Sequence, residues 1–245
     1  MRKALNPPTK NSRMLMAVLL VLMASGMTPK ITAAAEGTGG FLAAYTPSGL
    51  AAGVSHGLRE RGLAAFTNSL ASASANLPVG LYVSGGPAFP IVSQPAANPA
   101  YVSPAEGVLT HFGLAAGYGS TGLLAHNTAA GAQFSQLSPH QLIFLVHGDK
   151  HIKSYVITAI QRYRATQPAS PYSDFIDLDQ PGNRLTAEKL FYEIYAVDGR
   201  LILQTCIAAE GLENWGRLFL IAEPVEPEST TRGFERHPEK ALLSQ

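Results

Sequence analysis

The chain has 245 residues, a formal net charge of +1 and only 14% charged side chains, which excludes the basic surface that binding to a polynucleotide requires. Hydrophobic residues make up 46% and are interrupted by 23 glycines and 17 prolines, a punctuation that argues against a helical bundle and for short strands joined by turns. With a single cysteine, Cys206, no internal disulfide is available.

The N-terminus reads as an export segment. Arg2, Lys3, Lys10 and Arg13 precede the apolar run from Met14 to Met27, and the small-residue stretch Thr32–Ala35 follows. A positive start, a short apolar stretch and a small-residue exit make a secretory signal peptide, cleaved after Ala33 or Ala35. Retained, the same segment would be a membrane anchor, although the run falls short of the ~20 residues that span a bilayer. Residues 1–35 are therefore expected to be a signal peptide or N-terminal anchor, with the working part outside the cytoplasm. Residues 36–76 are rich in Ala, Gly and Ser and are expected to form a flexible spacer. The helical tendency of Leu63–Ala75 is weakened there by Ser69, Ser72 and Ser74.

The folded domain is expected over residues 77–224. Pro78–Val92 offers two short strands broken by turns, and Val108–Leu109 and Thr121–Leu124 are apolar islands among turn residues. Gln141–His147 is too apolar to alternate and reads as a central strand, turned by Gly148-Asp149. Ser154–Ala159 is β-rich, and Ile160–Arg164 continues it. Leu185–Tyr195 has helical spacing, with Leu190, Phe191, Ile194 and Tyr195 on the core side and Thr186 as N-cap. Asp198-Gly199 then feeds an apolar strand, Leu201–Leu203, that runs to Cys206, and Arg217 opens the next one, Leu218–Ala222. About seven or eight short strands with few helices predict a mainly β protein, an antiparallel barrel or sandwich. From residue 225 to 245 the composition turns charged, which predicts a disordered tail.

A thiol is a useful nucleophile only beside a base or a positive charge; otherwise a lone cysteine is a small packed hydrophobe. His126, which closes the run Leu123–Ala125, is the preferred partner of Cys206, and His147, ending another apolar strand, is its rival. His111 and His151 lie in less ordered contexts, and His237 is in the tail. Arg217 would bring a permanent charge and a fork of donors to an oxyanion, or would close a sheet-end salt bridge with Glu223 or Glu210. His147, Asp149 and His151 read as a polar turn in preference to a zinc site, since no cysteine joins them. Asp174, Asp177, Asp179 and Glu188 lack the spacing of an EF-hand loop. No phosphate-binding glycine loop and no G-x-S-x-G element occur, so neither metal nor cofactor is expected.

Taken in order, Leu124-Ala125-His126-Asn127, Gly148-Asp149, Leu203-Gln204-Thr205-Cys206 and Arg217-Leu218-Phe219-Leu220-Ile221-Ala222 resemble the sortases, the cysteine transpeptidases of bacterial surfaces. Ala125 stands where that family has glycine, which marks a divergent member. The resemblance implies a closed eight-stranded β-barrel with short helices, in which Cys206 is the nucleophile and His126 the acid and base. It also implies that Arg217 steadies the oxyanion and that Thr205 is a substrate-binding neighbour. On this basis the expected partners are the C-terminal sorting signals of surface proteins, cut through a thioester with a substrate threonine. The expected acceptor is an amine from a cell-wall precursor or a pilin, and no nucleic acid is involved. Two alternatives accompany this expectation: a related peptidase that acts mainly by hydrolysis, and a secreted β-barrel binding module in which Cys206 is only packed core.

Overall fold

The structure of the protein, a computed structural model, describes residues 51–170 and 172–225. The expected export segment, the first part of the spacer and the charged tail past Val225 lie outside the described residues. The strands are β1 (Pro78–Val83), β2 (Ala88–Ser93), β3 (Leu109–Phe112), β4 (Thr121–Leu124), β5 (Leu142–His147), β6 (Ile152–Ala165), β7 (Phe175–Asp177), β8 (Arg184–Leu185), β9 (Leu201–Ala209) and β10 (Leu212–Pro224). The helices are α1 (Ala51–Ser69), α2 (Gly113–Ala116) and α3 (Ala187–Tyr195), with a 3-10 segment at Ala130–Gln136.

Following the pairings from β10 through β9, β4, β3, β2, β1 and β5 leads to β6, which pairs back onto β10 and closes an eight-stranded barrel. β7 and β8 extend the sheet outward from β6. The architecture is therefore the mainly β closed barrel with short helices that was expected. Two neighbours run parallel, β2 with β3 and β4 with β9, and parallel neighbours need long crossover connections. The connection from β4 to β9 contains β5 to β8 and α3, so it returns chain to the outside of the barrel.

Because strand side chains alternate between faces, each barrel strand feeds one of two cores. The inner core takes residues from every barrel strand, among them Leu81, Phe89, Leu109, Leu123, Leu145, Ile157, Leu203 and Leu220. The second lies on the outer face of β3, β4, β9, β10 and β6 and is roofed by α3, β7 and β8. On β9, Leu201 and Leu203 point inward while Ile202 and Cys206 point to the outer core; on β10, Leu218 and Leu220 point inward and Phe219 and Ile221 outward. The roof follows from sequence: Thr186 Oγ1 accepts from Lys189 N at 3.2 Å as the N-cap, and Leu190, Phe191, Ile194 and Tyr195 are buried. Phe191 meets the rings of Phe112, Tyr118 and Tyr195 at centroid distances of 6.2, 5.1 and 5.2 Å.

One element departs from the sequence expectation. Part of the expected spacer is α1, whose last turns lie on β1, because Gly80 leaves room there: a Cβ at Gly80 would sit 2.8 Å from Phe66 Cε1 and would also strike Leu70. The chain after it is clasped by the β5–β6 turn, where Ala73 N donates to Gly148 O at 3.0 Å and Gly148 N to Leu77 O at 2.9 Å. Lys150 Nζ completes the clasp by donating to Thr67 O at 3.1 Å, near the carbonyl end of α1.

Truncating Phe191 to alanine removes a fully buried ring from the roof, and the expected loss of unfolding free energy is about 3–5 kcal/mol. Urea denaturation of the protein checks it; a loss below about 1 kcal/mol would mean that the roof is not packed as described.

Candidate active site

Cys206 and Arg217 are direct cross-strand partners in the antiparallel ladder of β9 and β10, so their side chains leave the sheet on the same face. That face is the outer one, under the roof, and burial is severe: Cys206 is 4% exposed and Arg217 0%. The guanidinium is held from the backbone, Nη1 donating to Asn214 O at 3.0 Å and to Gly216 O at 2.8 Å. Its carbon lies 5.9 Å from the centroid of the Phe175 ring, which adds a cation–π contact. Glu223, considered from sequence as a salt-bridge partner of Arg217, binds Arg200 instead, at 2.7 Å.

The two groups shift each other. Burial pushes the Cys206 thiol above its ordinary pKa, and Glu213 adds to that, while the charge of Arg217 pulls the other way. Burial lowers the pKa of Arg217, and Cys206 opposes the fall. Burial and the guanidinium thus act on the sulfur in opposite directions, and Arg217 is the group that favours a thiolate.

His126 follows the end of β4, the parallel neighbour of β9. β4 runs parallel to β9 with Leu124 opposite Gln204, and Ala125 N carries the ladder one step further by donating to Gln204 O at 3.1 Å. The backbone of His126 is fixed by the turn that follows, its carbonyl accepting from Ala129 N at 3.0 Å and Gly131 N at 2.9 Å.

Thr205 lies on the other face, 2% exposed, and its Oγ1 donates to Ala125 O at 2.9 Å. Gly131 packs against the same spot; a Cβ there would collide with Thr205 Oγ1 and come within 2.7 Å of the His126 carbonyl oxygen. Only a glycine lets the turn sit so close. Gln204, one position before Thr205, faces the outer core and accepts a hydrogen bond of 2.5 Å from the hydroxyl of Tyr195 on α3. Burial raises the pKa of that hydroxyl, so it remains a donor. Sequence reading missed both Gly131 and the Tyr195–Gln204 bond. The partner of Gly131, Thr205, lies far away in the chain, and that of Gln204, Tyr195, lies on another element, so no local pattern marks them.

His147, His151 and His111 belong to other strands and turns. His147 ends β5, whose neighbours are β1 and β6. It stacks on His151 with ring centroids 4.0 Å apart and planes 12° from parallel, and His151 Nδ1 lies 2.6 Å from Asp149 Oδ1. His111 pairs with Leu123 on β4, on the inward-facing side of the sheet, and burial lowers its pKa. Asp177 Oδ1 accepts from the backbone N–H groups of Asp179 and Gln180 at 2.8 and 3.0 Å, which makes it a turn former. Asp179 pairs with Arg162, and Asp174 with Arg184 at 2.9 Å.

No protein-family model matches this sequence, and no curated protein matches it. Solved structures of sortases are similar to it. Sortase C1 of Streptococcus agalactiae, in complex with MTSET, has 14% identity and a TM-score of 0.39, covering 76% of this chain and 93% of that one. The Group B Streptococcus pilus island 1 sortase C2 has 14% identity and a TM-score of 0.41, over 71% of this chain and 98% of that one. Sortase A from Corynebacterium diphtheriae has 12% identity and a TM-score of 0.39, over 75% and 88%. The likeness is remote in each case and recurs across several sortases.

The stacked histidines give a pH prediction. Burial, followed by the charges of His151 and Lys153, depresses the pKa of His147 from 6.5 to about 4. A base depressed in the folded state binds more protons when unfolded, so its stabilising contribution is complete above pH 6.5 and is lost as pH falls toward about 4. Unfolding midpoints measured across that range should fall with acid in the wild type and fall less in His147→Gln; equal slopes would contradict the assignment.

Proposed function

We propose that this protein is an exported cysteine transpeptidase that cleaves a sorting motif near the C-terminus of surface proteins and passes the product to an amine. The observation that carries this reading is the cross-strand pair of Cys206 and Arg217 on one buried face, with the end of β4 in register beside it. The ordered sequence set from His126 to Arg217 supports it.

In the proposed reaction the roof yields to an extended peptide, and Cys206 attacks the carbonyl carbon of the scissile bond. Arg217, permanently charged and already anchored to Asn214 O and Gly216 O, steadies the oxyanion. His126 takes up the thiol proton and gives it to the departing amine, leaving a thioester on Cys206. An incoming amine then attacks the thioester, His126 takes its proton, and the thiol is regenerated. Water in place of the amine gives hydrolysis. Thr205 serves the substrate site from beneath, since its bond to Ala125 O holds the strand end that carries His126. The cell-surface location follows from residues 1–35, read as a signal or anchor; among the described residues no helix is long and apolar enough to cross a membrane.

The burial of Cys206 favours one other reading, a secreted binding barrel whose thiol is packing alone. The experiment that separates them is cleavage of a peptide pool with a Thr–Gly bond set in randomised flanks, assayed by mass spectrometry with and without an added amine. Cys206→Ala is expected to abolish cleavage. Arg217→Lys keeps a charge but loses the fork, and kcat is expected to fall about 100-fold, as on removal of an oxyanion donor. Cleavage that survives in Cys206→Ala would refute a cysteine mechanism, and wild-type protein that cleaves nothing would favour the binding barrel.

A further inference from the structure

The β9–β10 hairpin carries a second feature beside the site. Pairing leaves register between Leu212 and Gly216, so Glu213, Asn214 and Trp215 arch away from the ladder next to the turn that follows His126. The arch is fixed at several points. Asn127 Nδ2 donates to Glu213 O at 3.0 Å and to Glu213 Oε2 at 3.3 Å. Asn214 Nδ2 donates to Pro168 O at 2.8 Å, and Asn214 O accepts from Arg217 Nη1 at 3.0 Å. Glu213 itself is exposed to solvent, so a carboxylate is held at the rim, bonded to the residue that follows His126.

Its charge works against the first half of the reaction, because a negative group near Cys206 opposes ionisation of the thiol. Once the sulfur is acylated it has no charge to oppose, and that cost disappears. What remains is attraction for whatever positive species arrives next. Resting on the transpeptidase reading, we propose that Glu213 selects the acceptor by drawing a cationic primary amine to the acyl-enzyme, so that aminolysis prevails over hydrolysis.

The step balances without a further reactant. The ammonium group binds at Glu213 and loses one proton to solvent, and the neutral nitrogen attacks the thioester carbonyl carbon. A carbon–nitrogen bond forms and the carbon–sulfur bond breaks. The second nitrogen-bound proton passes through His126 to the departing sulfur, which returns as the thiol of Cys206. No electron is gained or lost overall.

The test is Glu213→Gln, which retains an oxygen to accept from Asn127 Nδ2 and removes only the charge. The peptide pool is offered with either of two acceptors at pH 7.5: ethylamine, a cation, and hydroxylamine, which is neutral. In Glu213→Gln the ratio of aminolysis to hydrolysis with ethylamine is expected to fall about fivefold, the size of one solvent-screened charge contact. The ratio with hydroxylamine is expected to stay the same, and raising salt in the wild type should lower the ethylamine ratio alone. Glu213→Lys should deepen the ethylamine loss. Equal changes with both amines, or no change with either, would overturn the proposal while leaving the thioester mechanism standing. Failure of the wild type to form an acyl-enzyme would remove both.

Discussion

A guanidinium shut off from water is the constraint on which this fold turns. Removing an ion from water costs several kcal/mol unless hydrogen bonds and neighbouring charge compensate. Arg217 meets that demand by folding back on its own strand's carbonyls at Asn214 and Gly216 and by lying against Phe175. To bring those carbonyls within reach, β10 must leave register before Gly216, which creates the arch at Glu213. To keep water out, β7, β8 and α3 must cover the outer face. The cysteine opposite therefore sits in a buried place beside a positive charge.

The same arrangement raises the pKa of the Cys206 thiol. Desolvation outweighs the attraction of Arg217 while the roof is closed. In the proposed reaction, opening the roof restores solvent to the sulfur while Arg217 keeps its backbone anchors, so the balance moves toward the thiolate. The Tyr195–Gln204 hydrogen bond ties the roof to the same strand, two positions from Cys206, and Phe112 and Phe191 pack on Tyr195 with ring centroids 5.3 and 5.2 Å away. In the proposed reaction, access to Cys206 is therefore coupled to the stability of the roof.

Much of this was legible in the sequence, and the parts that were not share a reason. The strand runs of β5, β6, β9 and β10 were visible as apolar stretches, and α3 was visible because its buried residues recur at helical spacing behind a threonine cap. Period-two alternation also fixes that Thr205 and Cys206 face opposite ways, although sequence cannot say which of two apolar faces is the barrel interior when both are buried. The parallel neighbours β2–β3 and β4–β9 were illegible, since crossover pairing leaves no local mark. α1 was read as spacer because its apolar contacts depend on a gap at Gly80. Gly131 and the Asn127–Glu213 contact depend likewise on closures remote in the chain. Of the two histidines that end apolar runs, His126 follows β4, the neighbour of β9, whereas His147 ends β5, which the sheet order separates from β9.

The central claim is that the sulfur of Cys206, opposite Arg217, becomes covalently bonded to substrate. Intact-mass spectrometry of the protein quenched in acid during turnover of the peptide pool tests this directly. The expected result is an added mass equal to the peptide portion ending at threonine, mapped to Cys206, released by hydroxylamine and absent from Cys206→Ala. Cleavage with no adduct on Cys206 under the same quench, or an adduct mapped to another residue, would contradict the account.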